Sequence, residues 1–224
     1  MKESHIFISG LLGLSFNLFV GVLCLVFIYV PTEETMGIVQ RIFYFHVPVA
    51  WVAFLAFFIV FLGSILYLWK RESKWDAIAS SSAEVGAVFT TLVLITGSIW
   101  AKPIWGVWWT WEPRLTTALV LWLIYIAYLT VRSFATDEQR GARFAAVVGI
   151  VGFIDVPIVA LAITLWRTQH PGPVIFQGGL TPPMLLTLIV CVAAFTTLYS
   201  LLLIQRVSMK NDEIEIKRLK ELCS

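Results

Sequence analysis

Charged residues are scarce in this sequence: they make up only 13% of its 224 residues, and 59% are hydrophobic. Soluble domains carry roughly 25% charged residues. A chain this short cannot hide the excess apolar surface in a larger core, because small domains leave much of their surface exposed. Lipid is therefore the expected solvent over most of the length. The net charge of +2 gives no basic surplus, so we expect no nucleic-acid partner.

Cysteine is also rare, with three residues in the whole chain. Cys24 and Cys191 lie in apolar runs, Cys223 lies in a charged segment, and no Cys-x-x-Cys or Cys-x-x-Cys-His motif occurs. Such a pattern supports neither a disulfide framework nor a thiolate metal site. It equally gives no support for covalent attachment of haem to this chain.

The sequence contains long apolar runs instead of charged residues and cysteines. A helix needs about 20 apolar residues to cross a bilayer, and six stretches qualify. The runs are continuous, whereas a barrel would show short alternating strands. We therefore predict an all-α integral membrane protein with six transmembrane helices, in a single membrane domain over residues 1–224. The helices are expected at about 8–30, 43–69, 83–101, 114–132, 144–166 and 183–205, with an outer tryptophan-rich loop at about 102–113 and a short tail at 206–224.

Lysine and arginine are unevenly divided between the two sides of this arrangement. The N-terminus, the turns near 70–75 and 132–143 and the tail hold twelve, and the opposite segments hold four. Cytoplasmic loops carry the excess of basic residues, so both termini are expected in the cytoplasm and three loops outside, at about 31–42, 102–113 and 167–182. The twelve are Lys2, Lys70, Arg71, Lys74, Arg132, Arg140, Arg143, Arg206, Lys210, Lys217, Arg218 and Lys220; the four are Arg41, Lys102, Arg114 and Arg167.

Two of the three histidines fall on the predicted outer side. His46 is at the outer end of the second helix and His170 follows the fifth, whereas His5 is near the cytoplasmic end. Two facing imidazoles can be the axial ligands of a haem iron, while zinc needs further ligands that no nearby cluster supplies. A hydrogen-bonding role at the level of the lipid headgroups remains the alternative for each histidine.

Five of the ten tryptophans fall within twelve residues, between Trp100 and Trp111. If their loop is helical, one face carries Trp105, Trp108, Trp109 and Glu112 at i, i+3, i+4 and i+7. That face, with Trp111 beside it, would offer a broad indole surface to a flat apolar ligand such as a porphyrin. An interfacial helix lying in the headgroups is the alternative, although the loop has no lysine or arginine between Trp105 and Pro113.

The four outer cations have two possible roles. They can meet the two propionates of a haem through charge-assisted hydrogen bonds, or anchor helix ends by extending towards the headgroups. Both roles stay open for Arg41, Lys102, Arg114 and Arg167.

At these residues the sequence resembles the CcmC family, within the haem-handling superfamily defined by a tryptophan-rich WWD motif. The resemblance extends from about Arg41 to Arg206. The motif's aspartate corresponds to Glu112, so the charge is kept but the carboxylate reaches one methylene further. The matching segments are Arg41-Ile-Phe-Tyr-Phe-His46-Val-Pro48, Gly86-Ala-Val-Phe89-Thr, Thr96-Gly-Ser98, Lys102-Pro-Ile-Trp-Gly106, Trp108-Trp-Thr-Trp111-Glu-Pro-Arg114-Leu-Thr116 and Leu165-Trp-Arg-Thr-Gln-His170.

The resemblance implies a haem-delivery protein of cytochrome c biogenesis in the bacterial inner membrane, and not an enzyme. It implies a non-covalent haem b at the periplasmic face, with His46 and His170 as axial ligands and the tryptophan loop as platform. The implied recipient is the haem chaperone CcmE. The other implied partners are the ABC transporter subunits CcmA and CcmB and the small protein CcmD, together with the lipid bilayer.

Two other functions remain open. A cytochrome c synthase similar to CcsA, from the same superfamily, would be longer and would need an extra histidine pair within the membrane, for which this chain has no histidine left. A membrane b-type cytochrome in electron transfer would favour histidines paired deep in a bundle. Here both are predicted at helix ends, where release of a ligand is easier than inside a bundle.

Overall fold

The computed structural model describes residues 2–166, 169–170 and 178–223. This part of the chain is all-α, apart from one isolated bridge between Glu33 and Gly37. Six of its helical segments are long and apolar enough to cross a bilayer, with α5 and α6 together forming one of them. This confirms the all-α class and the predicted number of apolar helices, while their placement in a membrane stays a prediction. The side of the membrane that each end faces stays a prediction. The helices are α1 Lys2–Cys24, α2 Phe43–Lys70, α3 Ser73–Trp105, α4 Pro113–Ser133, α5 Glu138–Gly152, α6 Asp155–Leu165 and α7 Pro182–Cys223.

Helix α3 begins ten residues before the predicted start at 83. The connection from α2 is only two residues long, and Arg71 makes the turn in a left-handed conformation with φ of 59°. Three consecutive serines lower the hydropathy at the start of α3, so an apolar-run criterion misses it. They are nevertheless buried, and the Ser82 hydroxyl donates to the Ala56 carbonyl of α2 at 2.8 Å. Small side chains here serve close packing of the two helices.

The fifth predicted helix, 144–166, is longer and is broken in two. Helix α5 starts at Glu138, where the Asp137 side chain caps it by accepting from the Gln139 N–H at 3.1 Å. The break falls at Phe153 and Ile154. Pro157 has no N–H to donate to the carbonyl of Phe153 four residues earlier, which explains the interruption at this point.

The sixth predicted helix does not end near 205. Helix α7 continues through the segment predicted as a separate tail, because residues 184–223 contain neither glycine nor proline. Its extension is tied to α3 by an ion-pair cluster in which Arg206 and Lys210 both contact the Glu84 carboxylate, Lys210 at 2.8 Å. Lys210 also donates to the Ser80 hydroxyl at 2.6 Å.

Helix α2 is at the centre of the core and packs against α3, α5 and α7. The buried Tyr125 of α4 donates to the Ala53 carbonyl of α2 at 2.9 Å. Its ring reaches this position across Gly86 of α3, where an added Cβ would lie 2.6 Å from the tyrosine hydroxyl. These contacts fix α2, α3 and α4 relative to one another, and with them the helix ends that carry the candidate site.

Candidate functional site

One end of the bundle collects the residues that the sequence singles out. Helices α2 and α4 begin there and α3 and α6 end there. We call it the histidine end, because His46, the fourth residue of α2, lies there beside the last turns of α3. His170 and the tryptophan loop belong to the same end, since they directly follow α6 and α3.

His46 is half-buried and fixed against α3. Its Nδ1 is 2.8 Å from the hydroxyl oxygen of Thr96. The ring rests on Gly97, where an added Cβ would lie 3.2 Å from Cε1 of the imidazole. Within the described part of the chain, the other ring nitrogen, Nε2, has no hydrogen-bond partner. The imidazole is therefore held through one nitrogen and has the second available for a ligand.

The tryptophan loop is shorter than predicted and is not helical. Helix α3 continues to Trp105, and Gly106 ends it with a positive φ of 78°, the left-handed conformation that favours glycine at a helix C-terminus. Lys102 closes this turn by donating from Nζ to the Gly106 carbonyl at 2.9 Å. Residues 106–112 then run without helical structure to Pro113. The helical arrangement that would place Trp105, Trp108, Trp109 and Glu112 on one face is therefore wrong.

The indoles instead form two edge-to-face pairs. Trp100 and Trp105 have ring centroids 5.3 Å apart with planes at 87°, and Trp109 and Trp111 are 5.8 Å apart at 78°. Trp111 is 76% exposed and Trp108 57% exposed. Such pairs are a favourable aromatic geometry. The first lies at the end of α3 and the second in the loop, where Trp108 and Trp111 present large apolar surfaces.

Glu112 joins the tryptophan loop to the segment that contains His170. Its Oε2 accepts from the backbone N–H of Gln169 at 2.9 Å. Gln169 directly precedes His170, which is half-buried. Glu112 is also the N-cap residue of α4, with Pro113 in the first turn. One carboxylate thus positions the residue beside the second candidate ligand, from the point where the loop enters α4.

The four candidate cations have different environments. Lys102 is exposed, with Nζ 6.0 Å from the ring centroid of Trp108. Arg114 is half-buried and donates from Nη1 to the Val159 carbonyl of α6 at 3.2 Å, so it ties α4 to α6. Arg41 is half-buried in a short 3-10 helix that leads into α2. Arg167 lies outside the described residues.

Several polar atoms at the histidine end are buried but lack a hydrogen-bond partner among the described residues. A buried unsatisfied polar group costs about 1–3 kcal/mol, so each of these atoms calls for a partner, and a polar ligand group is a candidate; Ser64, Trp75 and Ser81 have such atoms elsewhere in the bundle. Beside exposed indoles, the atoms at the histidine end fit a ligand that combines a large apolar surface with anionic groups. They are Gln40 Oε1, Arg41 Nε, Trp109 Nε1, Thr110 Oγ1 and Thr116 Oγ1.

Thr96 and Gly97 lie in one of the segments that carry the family resemblance, but sequence reasoning gave them no functional role. Thr96 lies four residues before Trp100 on the same helix face, which is a weak signal that it points towards the site. Nothing in the sequence showed that it would meet His46, fifty residues away. A cluster of three or more His, Cys, Asp or Glu side chains suited to a metal ion is absent from the described residues.

The chain matches a known protein family over nearly all of its length. The family model described as CcmC, Heme exporter protein C, matches residues 2–221.

Individual relatives carry related names. The Heme exporter protein C of Bradyrhizobium diazoefficiens is 36% identical over 195 residues, covering 86% of this chain and 73% of the relative. The protein of the same name from Haemophilus influenzae is 33% identical over 194 residues, covering 85% and 78%. A putative cytochrome c biosynthesis ccmC-like mitochondrial protein of Marchantia polymorpha is 34% identical over 149 residues, covering 66% and 63%.

Proposed function

The chain belongs to the CcmC, or Heme exporter protein C, family, and we propose that it handles haem for the assembly of cytochrome c. The observation that carries this proposal is the hydrogen bond between Glu112 and the Gln169 backbone. It holds the tryptophan loop against the segment of His170, at the bundle end where His46 also lies. Residues 1–224 act in this proposal as one membrane domain.

His46 and His170 are the proposed axial ligands of a non-covalently bound haem b. A neutral imidazole coordinates iron through one ring nitrogen while the other donates to a nearby acceptor. His46 has this arrangement available, since only its Nδ1 is engaged, by Thr96. The haem is cargo here, and the iron–imidazole bonds are what retain it.

The tryptophan loop is the proposed platform and docking surface. Trp105, Trp108, Trp109 and Trp111 offer the ring apolar area, and the exposed Trp108 and Trp111 are accessible to an incoming protein. The Arg41 guanidinium and the buried Trp109 N–H and Thr110 hydroxyl are suited to the propionates. Lys102 and Arg114 are further cations at this end, and Arg167, outside the described residues, is the fourth proposed contact.

We propose delivery to the haem chaperone CcmE, and the position of the site at one end of the bundle supports this proposal. We place the histidine end on the periplasmic side of the bacterial inner membrane and both termini in the cytoplasm, from the distribution of lysine and arginine. CcmA and CcmB, the subunits of an ABC transporter, and CcmD are the proposed complex partners. The chain itself transfers cargo and catalyses no reaction.

The ligand assignment is tested by spectra of the purified protein. His46→Ala or His170→Ala should each weaken haem retention and change the low-spin spectrum, because one axial bond is lost. Added imidazole should partly restore binding by filling the empty position. His5→Ala, the third histidine, is the control and should change neither. Wild-type spectra in both ligand variants would show that other groups bind the iron.

The platform is tested by comparing haem content with haem transfer. Trp108→Ala keeps both iron–imidazole bonds, so part of the haem should remain, while formation of haem-loaded chaperone should fall. Trp69→Ala is the matched control, because Trp69 is 77% exposed at the other end of α2. A complete loss of haem in Trp108→Ala would make the loop a binding element, and normal transfer would make it a membrane anchor.

The orientation is tested with reporter fusions. A reporter after Ser224 should be active in the cytoplasm, and one inserted after Gly178 should be active outside. The opposite pattern would place the histidine end in the cytoplasm and exclude delivery to a periplasmic protein.

A further inference from the structure

We propose that Thr96 is a positioning residue that sets the tautomer of His46. It keeps the proton on Nδ1, so that Nε2 presents its lone pair to the iron of the cargo. The use of this tautomer to bind iron rests on the proposed function. The tautomer itself is a property of the protein without haem.

The Thr96 hydroxyl has one hydrogen but three hydrogen-bonding groups around it. Its oxygen lies 2.8 Å from His46 Nδ1, 2.6 Å from the Leu92 carbonyl oxygen and 3.4 Å from the Val93 carbonyl oxygen. A hydroxyl has one hydrogen and two lone pairs, and a carbonyl oxygen can only accept. The single hydrogen therefore points to Leu92, the closest acceptor.

With its hydrogen committed, the Thr96 oxygen can only accept from His46. Nδ1 must then carry the ring proton and donate it, which leaves Nε2 unprotonated. In the opposite tautomer, the Nδ1 lone pair and the Leu92 carbonyl would compete for one hydrogen. One of two short contacts would then be between two acceptors. We expect the Nδ1–H tautomer to predominate by at least about ten to one.

The neighbouring residue fixes the position of the same ring. Gly97 has no Cβ, and one added there would lie 3.2 Å from Cε1, so the imidazole rests directly on the backbone of α3. Thr96 thus determines which nitrogen is available and Gly97 determines where it lies. Outer-shell partners of this kind orient metal-binding histidines and raise their basicity.

Three variants separate the hydroxyl from the shape of the side chain. Thr96→Val keeps the branched shape and removes the hydroxyl, and Thr96→Ser keeps the hydroxyl. Thr90→Val is the matched control, because Thr90 makes the same bond within α3, from its hydroxyl to the Gly86 carbonyl at 2.7 Å. Thr96→Ala repeats the deletion if Thr96→Val does not yield folded protein.

The first measurement uses 15N-histidine-labelled protein without haem. Imidazole nitrogen shifts distinguish the two tautomers, and the signal that disappears in His46→Ala identifies this residue among three histidines. Wild type, Thr96→Ser and Thr90→Val should show a protonated Nδ1. Thr96→Val should raise the population of the other tautomer about tenfold. A proton on Nε2 in the wild type, or an unchanged tautomer in Thr96→Val, would overturn the proposal.

The second measurement is haem retention in the same variants. Loss of an outer-shell partner typically costs 10–100-fold in affinity, so Thr96→Val should retain haem at least about tenfold less well, with Thr96→Ser close to wild type. A changed tautomer with unchanged retention would overturn the positioning role. Wild-type retention in His46→Ala would instead overturn the proposed function, so the two failures are distinguishable.

Discussion

Replacing Glu112 should loosen the segment that contains His170. The Glu112 carboxylate accepts from the Gln169 N–H at 2.9 Å and so connects the start of α4 to a segment outside any helix. Glu112→Ala removes the acceptor. Glu112→Asp keeps the charge but shortens the side chain by one carbon–carbon bond, which takes the oxygen beyond hydrogen-bond distance unless the backbone moves. Glu112→Gln keeps an oxygen at the same reach without the charge.

The size of the effect follows from the exposure of the bond. Hydrogen bonds to a charged group contribute about 1.5–3 kcal/mol, and the exposed position of Gln169 puts this one at the lower limit, about 1.5 kcal/mol. Because 1.4 kcal/mol corresponds to a factor of ten, amide exchange at Gln169 should be about tenfold faster in Glu112→Ala and Glu112→Asp. A neutral acceptor contributes roughly half as much, so Glu112→Gln should be about threefold faster.

The assay is amide hydrogen exchange at Gln169, together with the low-spin fraction of the haem-loaded protein. Glu33→Gln is the matched control: Glu33 lies in another loop of the same end and accepts from the Thr35 N–H at 2.9 Å, so the charge change is equal. The low-spin fraction should fall in the order of the exchange rates. Equal exchange in all variants would refute the link between the tryptophan loop and His170.

Two further predictions concern the packing around the site and the opposite end. Gly97→Ala should weaken haem retention roughly threefold to tenfold, because its Cβ would push His46 by a few tenths of an ångström; Gly10→Ala, with nothing within 4 Å of the added Cβ, should not. Arg132→Ala should lower stability by roughly 3 kcal/mol, measured by thermal unfolding in detergent. The change leaves the Asp76 carboxylate without its cation, although this side chain is only 15% exposed and accepts from Arg132 at 2.7 Å. Alanine at an exposed arginine of α5 should have little effect on stability.

Hydropathy predicts the number of helices well and their ends poorly. A bilayer imposes a minimum apolar length, so each crossing leaves a run that is easily recognised. Helix ends beyond the apolar core leave no such signal. Serines that serve close packing lower the hydropathy at the start of α3. Charged residues that pair with Glu84 lower it in the extension of α7. The absence of glycine and proline after 183 was the available sign that α7 continues.

For the site, residue types and the end of the bundle that they share are readable from the sequence, but contacts between elements are not. The histidines and tryptophans stand out by their clustering at predicted helix ends. The helical arrangement of the tryptophan loop was wrong, because Gly106 ends α3 before the periodicity can continue. Thr96 became a candidate only through its distance to His46, which depends on how α2 and α3 are aligned against each other.

The two proposed haem ligands differ in how firmly the fold holds them, and a carrier that must release haem needs such a difference. His46 belongs to α2, which packs against three other helices, so moving it requires a change in the core. His170 lies outside the helices, one residue from a hydrogen bond to a loop carboxylate. We therefore expect an iron bond at His170 to break before the bond at His46, whose movement requires α2 to move. Release should begin at His170, on the side where the exposed Trp108 and Trp111 would contact the receiving protein.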